Sequence, residues 1–405
     1  MKKLALLVSC VVLLCACEKA HNKSGDYFDP SGDVYSGEGG DGGIPNSGSG
    51  EGEKPQEYAG RVTAGEWRDL DNWLFWSNLM TNQQSDQQGN NYTQFSEYWG
   101  FYTNNRVAVR VTNENGDPQK DVSIQLVAGT NVLYEARTNN HGETNLWVGL
   151  TQLQQTVDTS SLALVVNGET TEQAVLVTHW GEKVQWNICT TSATDVNNID
   201  IAFIVDATGS MMDEIDFLKA DLLDIINIAH GKHAASQMRT SAIFYRDEGD
   251  EYVTRVNDFS TDIAVTTSFI ANQTADGGGD YPEAVHTALE KGLQNLSWSE
   301  SNSIRLAFML LDAPPHKQAD VIASLQKSIP LYAKKGIRII PVAASGVDKP
   351  TEFFLRFAAI ATDGTYVFIT NDSGVGNEHI QATVGDYQVE LLKDLIVRLI
   401  DQYMQ

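Results

Sequence analysis

The hydrophobic and polar positions of this chain change period part-way along it. From Arg106 to Ile188 apolar residues alternate with polar ones in short runs. Val107, Val109 and Val111 share one face, and further runs span Ser123 to Val127, Val132 to Thr138, Thr144 to Val148, Leu162 to Val166, Gln173 to Val177 and Val184 to Ile188. A period of two marks strands with one buried face. Asn113-Glu-Asn-Gly116, Asn139-Asn-His-Gly142 and Asn167-Gly168 supply turn chemistry between them. The pattern predicts an all-β sandwich over 101–192.

From Asn198 onward the pattern alternates between continuous apolar runs and helical periodicity. Ile201 to Val205 is a strand buried on both faces, followed by a helix from Met212 to Ala229. Arg239 to Tyr245 and Tyr252 to Asp258 flank a polar turn and predict an antiparallel edge hairpin. Helices follow at Tyr281 to Leu293, Ala319 to Lys335, Thr351 to Ala361 and Val389 to Tyr403. Strands lie between them at Ile304 to Leu311, Ile337 to Val342 and Tyr366 to Ile369, and Gly336 is a helix stop. This order predicts an α/β doubly wound (Rossmann-like) domain over 197–405, with ligands bound beyond the carboxyl ends of its strands. Ahead of the sandwich, 60–100 is aromatic-rich. Trp67, Trp73, Phe75 and Trp76 fit a helix with Thr63 as its cap and Glu66 three residues later, and such a stripe packs as core.

The first residues are a targeting segment. Lys2 and Lys3 precede the apolar run Leu4 to Leu14, and Leu14-Cys15-Ala16-Cys17 resembles the bacterial lipobox. That resemblance implies a signal peptide over 1–17, lipidation of Cys17 and a membrane anchored through acyl chains. Residues 18–59 are acidic, rich in glycine and serine, and poor in apolar residues, which predicts a disordered linker. Acidic residues soon after the lipidated cysteine resemble the surface-export signals of Bacteroidota lipoproteins. The implied location is the cell envelope, at the outer membrane of a Gram-negative bacterium, with either periplasmic or outward orientation. No other apolar run reaches the length of a spanning helix. Cys189 is the one cysteine outside the first 17 residues, so core burial rather than a disulfide must stabilise the fold. A net charge of −25 excludes nucleic acid as a partner, since phosphate binding depends on Lys and Arg.

Three segments bring oxygen donors to the carboxyl end of the predicted sheet. The first is Asp206-Ala-Thr208-Gly-Ser210, straight after a strand. The second is Ala275-Asp-Gly-Gly-Gly-Asp280-Tyr-Pro-Glu283. The third is Asp312, which ends Leu306 to Leu311 and leads into Ala313-Pro-Pro-His316. A carboxylate with two hydroxyls suits a hard divalent cation. The stretch from Asn198 to the C-terminus resembles a von Willebrand factor type A domain. That family's metal-ion-dependent adhesion site reads Asp-x-Ser/Thr-x-Ser, a threonine on a second loop and a later aspartate. Asp206, Thr208, Ser210 and Asp312 match it, whereas Gly279 takes the threonine position and Asp280 follows. The GGGD-x-PE segment resembles the subgroup that includes hemicentin and alpha-kinase-linked A domains, with Asp280 as a carboxylate replacement for the threonine. The resemblance implies a Mg²⁺ site, with Mn²⁺ or Ca²⁺ as alternatives, and a partner protein that offers a carboxylate. Asp247, Glu283 and His316 are candidates for the ligand face. Asp213 and Glu214 read as solvated acids complementing a helix dipole.

The sandwich resembles carboxypeptidase-regulatory-like or immunoglobulin-like modules of bacterial surface proteins. Together these features imply a surface-tethered lipoprotein that captures a protein ligand through a divalent cation. The alternative is an envelope assembly or scaffolding protein using the same site. A faint resemblance of Asp206-Ala-Thr-Gly-Ser210 to aspartyl-phosphate loops raises a Mg²⁺-dependent hydrolase. Thr208 stands where the haloacid-dehalogenase pattern wants a second acid, and HExxH, GxSxG and Walker motifs are missing. The expectation is a protein that is not an enzyme.

Overall fold

Along Asn198–Asp206 successive side chains enter different cores. Ile199, Ile201, Phe203 and Val205 pack into one apolar cluster, while Ala202 and Ile204 pack into another. A strand covered on both faces requires this arrangement. The computed structural model describes residues 61–81, 92–234, 236–374 and 379–405. The predicted signal, Cys17 and the linker lie outside the described residues, and no helix among those described is long and apolar enough to cross a membrane.

In chain order the elements begin with β1 (Thr63–Trp67), α1 (Trp73–Met80) and α2 (Tyr92–Trp99). Strands β2 (Asn105–Thr112), β3 (Ser123–Ala128), β4 (Asn131–Arg137), β5 (Glu143–Trp147), β6 (Leu162–Val166), β7 (Glu169–Thr170), β8 (Thr178–His179) and β9 (Trp186–Thr190) follow. Then come β10 (Asn198–Asp206), α3 (Ile215–Lys232), β11 (Gln237–Tyr245), β12 (Thr254–Ser260), α4 (Ile263–Ala271) and α5 (Val285–Gln294). The chain closes with β13 (Ser303–Leu311), α6 (Ala319–Lys334), β14 (Ile337–Ala343), α7 (Lys349–Thr362), β15 (Tyr366–Ile369), β16 (Glu390–Leu391) and α8 (Leu392–Met404).

The large sheet is mixed and runs β12-β11-β10-β13-β14-β15-β1-β16. Its five central strands, β11, β10, β13, β14 and β15, are parallel; β12 pairs antiparallel with β11, and β1 pairs antiparallel with both β15 and β16. Leu218 and Leu222 of α3, Ile270 of α4 and Leu395 and Leu399 of α8 cover the face that carries Phe203. Leu289 of α5, Ile329 of α6 and Phe357 of α7 cover the other. Two smaller four-stranded sheets lie outside it. One runs β5-β2-β8 with β9 on β2, and the other runs β4-β3-β6-β7. Their inward residues Val107, Ile124, Leu146 and Leu164 join the same apolar cluster as α5, α6 and α7. Phe101 stacks on Phe357 at 4.0 Å, and the Tyr134 hydroxyl donates to the Ala361 carbonyl.

The structure corrects several expectations. Thr63 does not cap a helix, because Thr63–Trp67 is a strand and the helix begins at Trp73. Local capping chemistry gives way to an edge that needs pairing. Ala64 to Trp67 lie in register with Ile369 to Tyr366, and Thr63 Oγ1 meets Thr370 Oγ1 at 2.8 Å. Gly65 permits this approach, since a Cβ there would sit 2.7 Å from ring atoms of both Phe368 and Tyr387. The α/β sheet therefore takes in a strand far ahead of residue 197. Gln173 to Val177 is not a strand. Its backbone is held by a side chain, with Asn187 accepting from the Leu176 N–H and donating to the Leu176 carbonyl. The helix expected from Tyr281 starts at Val285, because Glu283 is still extended and bridges to Pro315. Helix α4 was not anticipated. Trp73 and Trp76 are buried, as an aromatic core stripe should be.

Candidate functional site

The parallel pairing of β10 with β13 decides where the acids fall. Val205 pairs with Leu310, so Asp206 and Asp312 emerge together at the carboxyl ends of neighbouring strands. Asp206 is fully buried. Its Oδ1 accepts from the Thr208 N–H at 2.9 Å and from Thr208 Oγ1 at 2.7 Å, and Thr208 Oγ1 lies 3.1 Å from Ser210 Oγ. Thr208 is buried and Ser210 is exposed, so the hydroxyl pair leads from the core to solvent. Asp312 is 4% exposed.

Backbone contacts lace the other loops to this strand end. The Gly209 N–H donates to the Gly277 carbonyl, and the Asp276 N–H donates to the Ala207 carbonyl, both at 3.0 Å. Arg246 Nε donates to the Ala207 carbonyl and its Nη2 to the Thr274 carbonyl. Asp250 Oδ2 accepts from the N–H groups of Asp247 and Gly278. Gly277 adopts a positive φ of 77°, and a Cβ on it would lie 2.5 Å from Asp250 Oδ2, so only glycine fits. The Glu283 N–H donates to the Pro314 carbonyl at 2.9 Å, tying the glycine loop to the segment after Asp312.

The electrostatics are those of a concentrated negative charge withdrawn from water. Burial pushes the Asp206 carboxyl up to about 6, against hydrogen bonds from Thr208 that favour its charged form. Burial and then the charge of Asp206 push Asp312 up to about 7, tempered by the Ser210 hydroxyl. Glu283 is pushed up to about 9, first by burial and then by Asp206, Asp247, Asp312 and Asp250. The Tyr245 hydroxyl, raised by burial and by the neighbouring Asp206, lies beside that carboxylate and favours its charged form without reaching full hydrogen-bond geometry. One oxygen of each acid is likewise buried without a partner: Asp206 Oδ2, Asp312 Oδ1 and Glu283 Oε2. Buried polar atoms are nearly always paired, so three orphaned carboxylate oxygens at one strand end form a donor set that fits a hard cation. Among the described residues no three histidine, cysteine or acidic side chains close on a common point, so the hydroxyls and water would have to complete any coordination.

The remaining sequence candidates distribute unevenly. Asp280 is exposed on the glycine loop, whereas Asp206, Asp312 and Glu283 are buried. Asp247 is buried, and its Oδ1 meets His316 Nε2 at 2.6 Å. Those two ligand-face candidates therefore pair with each other. Glu214 is also not solvated. It is buried, meets His379 Nε2 at 3.0 Å and accepts from the Ser345 N–H. His379 lies far along the chain with no motif around it, so no local pattern signals this pair. Tyr245 was missed too, since it ends an apolar run with no motif around it.

Residues 200–351 match the family model of the von Willebrand factor A domain. The chain carries such a domain. The match begins inside β10 and ends at the start of α7, so it contains all five expected ion-binding residues, Asp206, Thr208, Ser210, Asp280 and Asp312. Over 131 residues the chain is 31% identical to the ariadne-like RING finger protein R811 of Acanthamoeba polyphaga mimivirus, covering 32% of this chain and 12% of that protein. Over 120 residues it is 31% identical to alpha-protein kinase vwkA of Dictyostelium discoideum, covering 29% of this chain and 19% of the kinase. The chain thus spans less than a fifth of the length of either relative. Among solved structures, conserved hypothetical protein BatB from Bacteroides thetaiotaomicron aligns over 51% of this chain and 99% of its own, at 11% identity and a TM-score of 0.36. Proximal thread matrix protein 1 from the mussel byssus aligns over 42% of this chain and 47% of its own, at 15% identity and a TM-score of 0.30. A von Willebrand factor A domain is consistent with protein interaction or adhesion.

Proposed function

We propose that the chain is an envelope-tethered capture protein whose A domain binds a partner protein through a divalent cation. The observation that carries this reading is the group of unpartnered buried oxygens at the ends of β10 and β13. A bound Mg²⁺, Mn²⁺ or Ca²⁺ would supply positive charge to them and a coordination position to a partner. Asp206 and Asp312 hold the ion's charge, and Asp206 also fixes the Thr208 hydroxyl toward Ser210. Exposed Ser210 marks the side from which a partner's oxygen, a carboxylate by the family resemblance, approaches. The small sheets over 101–192 take the place of the expected sandwich, and the acylated Cys17 with the linker over 18–59 holds the assembly on the membrane. Nothing in this reading requires bond-making chemistry. The test is partner capture from intact cells in Mg²⁺ against EDTA, with Asp206→Ala alongside. Capture that survives both chelation and the substitution refutes the proposal.

A further inference from the structure

We infer that Glu283, and not Asp280, is the second-loop acid of the cation site, holding water bound to the ion from the side where the family pattern places a threonine. The inference rests on the cation reading above.

Four observations converge on Glu283. It is 3% exposed with Oε2 unpartnered, whereas Asp280, the acid expected from the motif, faces solvent. Its backbone is anchored twice beside Asp312, through the Glu283 N–H to the Pro314 carbonyl and through a parallel bridge to Pro315. Its carboxylate shares one small space with the Asp206 loop. A Cβ on Gly278 would sit 2.9 Å from Glu283 Oε1 and 3.3 Å from Thr208 Cβ. Gly278 is thus the residue that lets the carboxylate and the threonine approach from opposite sides. Finally, Glu283 lies in the field of Asp206, Asp312, Asp247 and Asp250. A carboxylate buried among four others is costly unless positive charge is nearby. The three acids do not close into a cage of their own, and Mg²⁺-type ions keep several waters, so Glu283 meets the hydrated ion and not the bare one.

The test measures Mn²⁺ affinity of the full chain by calorimetry for the wild type, Glu283→Gln, Glu283→Asp and Asp280→Asn. Both Glu283 variants are expected to weaken binding by about ten-fold or more, the scale for groups that orient metal ligands. Asp280→Asn should stay within about two-fold, as for an exposed charge screened by solvent. Glu283→Asp keeps the charge but withdraws it by one methylene, so loss in that variant reports position and not field alone. Wild-type affinity in both Glu283 variants, loss only in Glu283→Gln, or loss in Asp280→Asn instead would overturn the inference while leaving the cation reading intact. A wild type that binds no Mn²⁺ would overturn both. Thermal midpoints of the cation-free variants verify folding.

Discussion

Without a cation, the acids at the strand ends make the protein lose stability as pH rises. The carboxyls of Asp206 and Asp312 sit at about 6 and about 7 in the folded chain, above the ordinary value of 3.8. A folded pKa above the unfolded one means that the native state binds more protons. The stability from these groups is therefore complete below about pH 4 and disappears as pH climbs through 6 and 7. For Asp206 a displacement of about two units corresponds to about 3 kcal/mol, and the group is fully buried, so solvent screening does not reduce it. Asp312 adds a contribution of the same order, but the two carboxyls titrate against each other, so the sum is an upper bound. Urea midpoints in EDTA between about pH 5 and about pH 8 should fall steadily by an amount equivalent to several kcal/mol. Saturating Mg²⁺ should flatten the curve, adding about 2.7 kcal/mol at a hundred-fold excess over its dissociation constant. Asp206→Asn should flatten it without metal, because it removes one charge and relieves the other. Midpoints in EDTA that stay level or rise over this range, or an Asp206→Asn variant with the wild-type slope, would show that these acids do not repel as the geometry requires.

Two further outcomes follow from the packing. Arg356 and Asp69 are both buried and joined at 2.9 Å, so Asp69→Asn should cost up to about 3–5 kcal/mol in urea unfolding, because it leaves the guanidinium with Glu352, at 3.8 Å, as its remaining carboxylate. A truncation that begins at residue 197 removes β1 and bares the edges of β15 and β16, so it should be recovered as aggregate where a chain beginning at residue 53 is soluble and monomeric by light scattering.

The parts of the fold legible in the sequence were those set by local periodicity. Leu162–Val166 and Tyr366–Ile369 have the ends expected of them, β13 and β14 stand within one residue of theirs, and β10 within three. Asp206 and Asp312 were placed side by side because adjacent parallel strands of buried residues end close together, with Asp312 one residue beyond the level of Asp206. Misses arose where a distant partner decides the outcome. Thr63 carries a helix-cap signature, but β15 needed an antiparallel neighbour. Glu214 looks like a first-turn acid, but His379, well over a hundred residues onward, draws it inside. Asp280 and Glu283 are three residues apart in one motif, and only the bridge to Pro315 turns the second inward. Local pattern carries no information about such pairings.

The position of β1 has a mechanical consequence. The small sheets over 101–192 form an excursion between two strands, β1 and β10, that both belong to the large sheet. Tension applied ahead of residue 61 passes through β1 into β15, loading four registered pairs in shear, and bypasses the small sheets altogether. A chain pulled from this end would pass force from β15 through β14 to β13 and β10, the strands that lead into Asp312 and Asp206, and the small sheets would ride alongside unstressed.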